Sequence, residues 1–486
     1  MGINIKIIGS GFSSIAAACY LANKGHEVTV FEKNQSIGGR ARQLKKEGFT
    51  FDMGPSWYWM PDVFERFFGD FNKKPSDYYE LIKLSPAYRV YYGEDDFIAI
   101  ADNLDEIIET FESIEKGSGK VLAKFMAEAK SNYVIAIKDL VYRPGVSPLE
   151  LITTETALKV GQFFSNISKD VRKKFKNERL IQILEFPVLF LGAKPSDTPS
   201  FYSFMNYADF GMGTWHPKTG MYDVIRGMES LALELGVRFE TNSNIEKIIV
   251  ENKKAVALQI NGKRIDADII LSGADYHHTE TLLDPEYRAY SEKYWESKTF
   301  APYSLLFYVG FNKKIENISH HALFFDVDFN QHAKDIYDEP RWPENPLFYA
   351  NFPSITDKTA APEGMESGFF LIPLAPGIED TPELRETYFD KIISRFEALT
   401  KQNIKENIIF KESFCKLDFE EVYNSYKGNA YGMANTLLQT AFLRPKLKSK
   451  MIENMYFTGQ LTVPGPGVPP ALISGKLVAE LIEKNL

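Results

Sequence analysis

Gly9, Gly11 and Ser14 follow the apolar run Lys6-Ile7-Ile8 at the spacing of a turn that presents backbone N–H groups to phosphate. The first glycine allows a tight turn. The second lets the chain approach an anion, whose charge a helix N-terminus favours. Ser14 takes the third small position, where a hydroxyl still permits close packing of helix on strand. Ile15 to Ala22 carry the helix, Gly25 ends it, and Val28-Thr29-Val30-Phe31 supply a second strand closing on Glu32. An acidic side chain there accepts hydrogen bonds from two ribose hydroxyls and repels a 2′-phosphate. Strand, helix, strand and terminal acid in one register predict a dinucleotide site.

Three more stretches share this chemistry. Gly38-Gly39-Arg40 comes soon after Lys33, and such a turn offers N–H groups and one cation to the same pyrophosphate. The strand pattern Phe49-Thr50-Phe51-Asp52 stops at Gly54-Pro55-Ser56, beside the expected crevice. Near the other terminus, a strand ends at Gly459, and Pro464-Gly465-Pro466-Gly467-Val468-Pro469-Pro470 turns into a final helix from Ala471. Histidines add little. His277-His278 adjoin a strand end and His320-His321 a predicted turn, neither pair has helical i, i+4 metal spacing, and no metal is expected.

The elements that hold these residues predict an α/β protein in five segments. Residues 1–90, 206–283 and 426–486 form a Rossmann-like nucleotide domain built from discontinuous pieces. Residues 91–205 form a helical insert, and 284–425 a mixed-sheet substrate domain with strands near Tyr303–Phe311, Leu323–Val327 and Phe369–Pro373 and a helix near Pro382–Leu399. The runs Ile245–Val250, Ala255–Ile260 and Arg264–Leu271, with a turn at Asn261-Gly262, read as a small antiparallel unit feeding back into the main sheet. In the insert, Phe164, Ile167, Val171 and Phe175 repeat at helical spacing beside Lys169, Arg172, Lys173, Lys174, Lys176 and Arg179, with Asp170 and Glu178 against them. A basic face beside an apolar one on a single helix suits a membrane interface; an ordinary solvated helix is the alternative.

At 486 residues and 44% hydrophobic content, the chain can bury a large core. A net charge of -9 gives no general field for nucleic acid, so none is expected as a partner. Two cysteines do not make a disulfide framework and fit a reducing compartment. The first strand starts almost at Met1, which leaves no room for a signal peptide, and no apolar run reaches about 18 residues. The expected location is therefore cytoplasmic, with peripheral membrane contact. Aromatics at 14%, among them 37 Phe and 25 Tyr, suit a long apolar cavity.

Taken together, GSGFSS with Glu32, GGRAR, FDMGPS and FTGQLTVPGPGVPPALISG resemble the bacterial carotenoid desaturases of the phytoene desaturase type, within the amine-oxidase-like flavoproteins. The resemblance runs the whole chain in order and is most specific at its two ends. It implies non-covalent FAD, with Gly9, Gly11, Ser13 and Ser14 at the pyrophosphate, Glu32 at the ribose, Lys33 near the adenosine, and Gly39 and Arg40 at the pyrophosphate again. It places Gly54, Pro55 and Ser56 near the isoalloxazine, Ile245 near the adenine, and Gly459, Gly467, Val468 and Pro469 along the ribityl chain and ring. The implied reaction takes a hydride from an allylic carbon to the flavin while the neighbouring carbon loses a proton, making a conjugated double bond in a carotenoid. No catalytic side chain is singled out. Without a second nucleotide fingerprint, oxygen or a quinone is the expected electron acceptor. An isomerase or saturase, a flavin-bearing lipid carrier and an amine oxidase stay open; product mass, flavin reduction and polar groups around a substrate nitrogen separate them.

Overall fold

Asn4–Ile8 (β1) lies at the centre of a five-stranded parallel sheet, with Ile5, Ile7 and Ile8 all buried. The computed structural model describes residues 2–138 and 140–486. Glu27–Phe31 (β2) and then Arg238–Glu240 (β3) flank β1 on one side; Ile269–Ser272 (β4) and Met455–Phe457 (β5) flank it on the other. Parallel neighbours need crossovers. The helix Phe12–Asn23 (α1) makes the first. Two long excursions, between β2 and β3 and between β4 and β5, build most of the rest of the molecule, and a three-stranded antiparallel sheet fills the connection between β3 and β4.

Small residues let the two chain ends meet. The C-terminal helix Val468–Asn485 lies on α1, where Ala16, Ala17 and Ala18 are fully buried. Gly475 sits at the contact: a Cβ there would stand 2.5 Å from the Ser13 carbonyl oxygen and 2.7 Å from Ala16 Cβ. A glycine from the opposite end of the sequence thus lets the last helix lie directly on the backbone of α1.

A seven-stranded mixed sheet forms the second layer, in the order Ile408–Phe414, Tyr303–Phe311, Glu366–Leu374, Phe348–Asn351, His321–Phe324, Tyr88–Gly93, Asp96–Ile100. Period-two alternation divides its side chains. Leu305, Phe307 and Val309 join the core under the helix Pro382–Thr400, while Leu306 and Tyr308 face the main core. The hairpin Tyr88–Ile100 precedes the helical segment, so the expected boundary at 90/91 cuts through a strand of this sheet. His321 is no turn residue: it begins a strand, and both His320 and His321 are buried. The run Arg264–Leu271 also divides, Lys263–Asp266 closing a three-stranded antiparallel sheet and Ile269–Ser272 joining the parallel one.

The helical segment differs most from expectation. The pattern from Phe164 to Arg179 breaks into Val160–Phe164, Ile167–Lys174 and Glu178–Glu185, because two asparagines cap new helices: Asn166 Oδ1 accepts from Lys169 N, and Asn177 Oδ1 from Arg179 N. The apolar face of the basic helix is turned inward. Ile167 and Val171 are fully buried, and Phe175 packs edge-on against Phe111 and Phe125. An amphipathic helix laid in a bilayer needs that face free, so the basic helix does not have that form. No helix among the described residues is long and apolar enough to cross a membrane.

Candidate functional site

Four stretches distant in sequence close around one cavity of about 530 Å³. Residues Gly9 to Ser13 form its floor, where α1 begins with Gly11 as N-cap and no side chain satisfies the first-turn N–H groups. The second glycine turn docks on the first: Gly38 N donates to the Ser10 carbonyl at 2.9 Å, and a Cβ on Gly39 would lie 3.4 Å from Gly11 Cα. Gly54 lies so close to Arg40 that a Cβ would collide with its carbonyl oxygen. From the far end of the chain, a Cβ on Gly459 would stand 3.1 Å from Ser13 Oγ. Pro55, Ser56, Ile245, Gly467, Val468 and Pro469 line the same cavity.

Of the residues expected at the cofactor, only Ser14 is absent from the wall. Its buried hydroxyl has no hydrogen-bond partner and packs against Gly273, where a Cβ would collide with it. Its place in the fold is therefore the helix-to-strand contact.

Glu32 is held at the end of β2 by four donors. One carboxylate oxygen accepts from Ser10 N and Oγ at 3.0 and 2.7 Å, the other from Asn34 N and Nδ2 at 2.9 and 3.0 Å. This fixes a buried carboxylate on the cavity wall. Lys33 donates to the Glu421 carbonyl at 2.8 Å and to Asn424 Oδ1 at 3.0 Å, and burial lowers its pKa. Arg40 Nη2 donates to Ser425 Oγ and the Asn429 carbonyl, both at 3.1 Å, and the guanidinium lies over Tyr423. Its Nε is buried without a partner, and among the described residues no carboxylate forms an ion pair with it. Burial lowers the Arg40 pKa against the opposing pull of Asp275. A desolvated guanidinium beside open helix N–H groups is completed by an anion.

The other end of the cavity is greasy. Trp57, Trp59, Phe186, Phe190, Leu323 and Phe348 line it, while the charged wall residues Glu32, Lys33, Arg40 and Asp275 gather at the glycine turns. The mixed sheet supplies one side of this apolar half through its cavity-facing positions. The sequence carried a signal for these residues in the Trp57-Tyr58-Trp59 cluster directly after FDMGPS and in the Phe186-Pro187-Val188-Leu189-Phe190 run; their common wall appears only when the chain folds.

These residues fit a flavin dinucleotide. A polar end suits a pyrophosphate and ribose, and glycine- and proline-bearing segments separate it from an apolar chamber. Glu32→Ala is expected to weaken FAD binding by about 1.5–3 kcal/mol, read by flavin titration; unchanged affinity would remove Glu32 from the site.

The basic cluster is not part of this cavity. Arg172 pairs with Glu178 at 2.7 Å and lies 3.5 Å from Glu185, and Lys174 pairs with Asp170 at 2.5 Å. Lys169, Lys173 and Lys176 are exposed. Among the described residues, no group of three histidine, cysteine or acidic side chains could hold a metal ion.

Residues 13–483 match the family described as flavin containing amine oxidoreductase. The chain is 38% identical to a carotenoid 3,4-desaturase from Haloarcula japonica, over 100% of this chain and 99% of that protein. It is 32% identical to a 4,4′-diapophytoene desaturase (4,4′-diaponeurosporene-forming) from Staphylococcus haemolyticus, over 99% of each. Among solved structures, an oxidoreductase from Methanosarcina mazei superposes with a TM-score of 0.65 at 17% identity, covering 98% of this chain and 99% of that one. A putrescine oxidase variant with redesigned cofactor binding reaches 0.63 at 13% identity, covering 100% and 99%; at these identities the likeness concerns the fold. With end-to-end similarity to two desaturases and a family match over nearly its full length, the chain belongs to the flavin containing amine oxidoreductases and, within them, to the carotenoid desaturases.

Proposed function

We propose that this protein is an FAD-dependent carotenoid desaturase whose reaction takes place in the cavity between the glycine turns and the mixed sheet. The observation that carries this reading is the division of one cavity into a charged nucleotide end and an aromatic-lined end. When bound, the flavin supplies the two-electron oxidation that turns a CH–CH unit into a double bond. Gly9, Gly11, Ser13, Gly39 and Arg40 hold its pyrophosphate, Glu32 and Lys33 its adenosine ribose side, and Ile245 its adenine. Gly54, Pro55, Ser56, Gly459, Gly467, Val468 and Pro469 flank the ribityl chain and ring. Trp57, Trp59, Phe186 and Phe190 align a long hydrocarbon and keep water away, which is the main demand of this chemistry. The charge distribution favours a hydrocarbon over an amine, because no carboxylate lines the apolar half among the described residues. Incubation with a panel of acyclic, hydroxylated and monocyclic carotenoids in liposomes tests the reading. Desaturation lowers product mass by two hydrogens per step, whereas isomerisation leaves it unchanged and saturation raises it. Oxygen or a quinone takes the electrons, and turnover under argon with and without added quinone tells the two apart.

The same reading places the protein on an anionic lipid surface through exposed apolar side chains N-terminal to the basic helix, the exposed lysines of that helix adding charge attraction while its own apolar face stays in the core. Exposed apolar side chains gather between Val146 and Phe164, with Leu158 83% and Phe164 80% exposed. Residues 118–176 carry eleven Lys and Arg against five Asp and Glu, on a protein of net charge -9. Gly145 abuts Val463, inside the segment between the cavity-lining residues Gly459 and Gly467. Exposed apolar side chains in a cationic region, next in sequence to a residue that packs on the Gly459–Gly467 segment, suit the surface from which a carotenoid is drawn. Leu158→Asp with Phe164→Asp is expected to release the protein from anionic vesicles in sedimentation. Lys169→Glu with Lys173→Glu should weaken binding by about 1 kcal/mol per lysine. Native binding by both variants would take this face off the membrane.

A further inference from the structure

A polar chain leaves the cavity wall beside the proposed ring site and ends in a cluster of buried imidazoles. Ser56 Oγ lies 2.9 Å from Tyr349 Oη, and both residues line the cavity. Tyr349 Oη lies 2.7 Å from His321 Nδ1. Asn351 Nδ2 donates to the His320 carbonyl at 2.9 Å and reaches the same His321 nitrogen at 3.3 Å. With two donors converging on Nδ1, that nitrogen is the acceptor and the ring hydrogen sits on Nε2. The direction of the chain follows: Ser56 donates to Tyr349, and Tyr349 donates to His321.

The surroundings keep the imidazole in place and dry. Trp57 stacks on His321 with ring centroids 4.0 Å apart and planes 9° from parallel. His320 lies 4.5 Å from His321, and His216, from the strand Trp215–Pro217, lies 4.3 Å from His320. The Nε2 atoms of His320 and His321 and both ring nitrogens of His216 are buried without partners. Burial holds His320 and His321 far below the ordinary histidine pKa and His216 at about 4. A neutral imidazole is therefore the resting form.

We propose that Tyr349 receives the proton lost in desaturation, with His321 behind it as the positioning residue that takes the phenolic proton in turn. This rests on the desaturase reading above. In the step, one C–H bond gives its hydrogen and electron pair to the flavin, which is reduced as the carotenoid is oxidised. The adjacent C–H bond breaks toward Tyr349 Oη, and its electron pair becomes the new π bond. The phenolic hydrogen passes to His321 Nδ1, so the proton rests on the imidazole. Hydride loss leaves the neighbouring C–H strongly acidic, so a weak base suffices, and a weak base also surrenders the proton after turnover.

The test compares Tyr349→Phe and His321→Gln. Gln offers an oxygen that still accepts from Tyr349 but cannot take a proton. Both variants are expected to hold FAD as the native protein does and to keep KM, while kcat falls about a hundredfold. Deuterium at the proton-losing carbon should slow both variants further, an effect weak or absent in the native enzyme. Independently of turnover, nitrogen NMR of histidine-labelled protein should show His321 Nδ1 unprotonated and hydrogen-bonded, and Tyr349→Phe should shift that signal. Native kcat in either variant with an unchanged isotope pattern overturns the proposal, as does a protonated Nδ1. Should Tyr349→Phe fail to fold, His321→Gln and the nitrogen signal decide. Failure of the desaturase reading itself looks different: the native protein would neither bind flavin nor alter any carotenoid.

Discussion

Gly11→Val is expected to yield a folded protein that no longer holds flavin. Gly11 has φ near -73°, which any residue adopts, and a Cβ built there meets no protein atom within 4 Å. Nothing in the fold therefore requires glycine at this position. The space a side chain would enter belongs to the cavity floor, between the N-terminus of α1 and the Gly38-Gly39 turn, where a pyrophosphate must touch the backbone. Two branched methyl groups there would hold the anion away from the helix N–H groups. Affinity for FAD should drop about a hundredfold or more, ~2.7 kcal/mol, with the thermal midpoint of the apoprotein unchanged. Flavin titration and thermal unfolding, measured side by side, check both halves; native affinity in the variant would mean that no ligand approaches Gly11.

Gly475→Val should have the opposite profile. Here the missing side chain is needed by the fold: a Cβ would stand 2.5 Å from a backbone oxygen of α1 and 2.9 Å from the Ala17 nitrogen. Backbone cannot swing aside as a side chain can, so the C-terminal helix must lift away from α1. Overpacking of this kind costs about 1–3 kcal/mol when side chains yield, and more against backbone. The expected result is a clear fall in the unfolding midpoint together with loss of flavin, because lifting the helix also displaces Gly467 to Pro469 from the cavity. A native midpoint would show that the two ends are not in contact at this residue.

What could be read from the sequence depended on whether the physics was local. A phosphate turn needs small residues at fixed neighbouring positions, so Gly9, Gly11, Gly39 and Gly459 were legible, and the structure sets all four on the wall of one cavity, with Gly39 against Gly11 and Gly459 against Ser13. The parallel core of β1, α1 and β2 was legible for the same reason. Ser56 and Tyr349 are 293 residues apart and meet only through strand pairing that sets His321 opposite Asn351, so no spacing announces them. The pattern from Phe164 to Arg179 was read as one helix because periodicity reveals an apolar face but neither the caps that divide it nor what covers it. Asn166 and Asn177 were visible as caps and would have divided that helix correctly.

The account stands on one claim, that both ends of the chain grip a single FAD whose ring opens on an apolar chamber. Anaerobic titration of the flavin-loaded protein with carotenoid-bearing liposomes tests it most directly. The predicted result is a yellow protein whose oxidised flavin absorbance disappears as carotenoid is added, in step with a product two hydrogens lighter. A colourless protein that takes up no added FAD, or flavin that stays oxidised while carotenoid is bound, would contradict it.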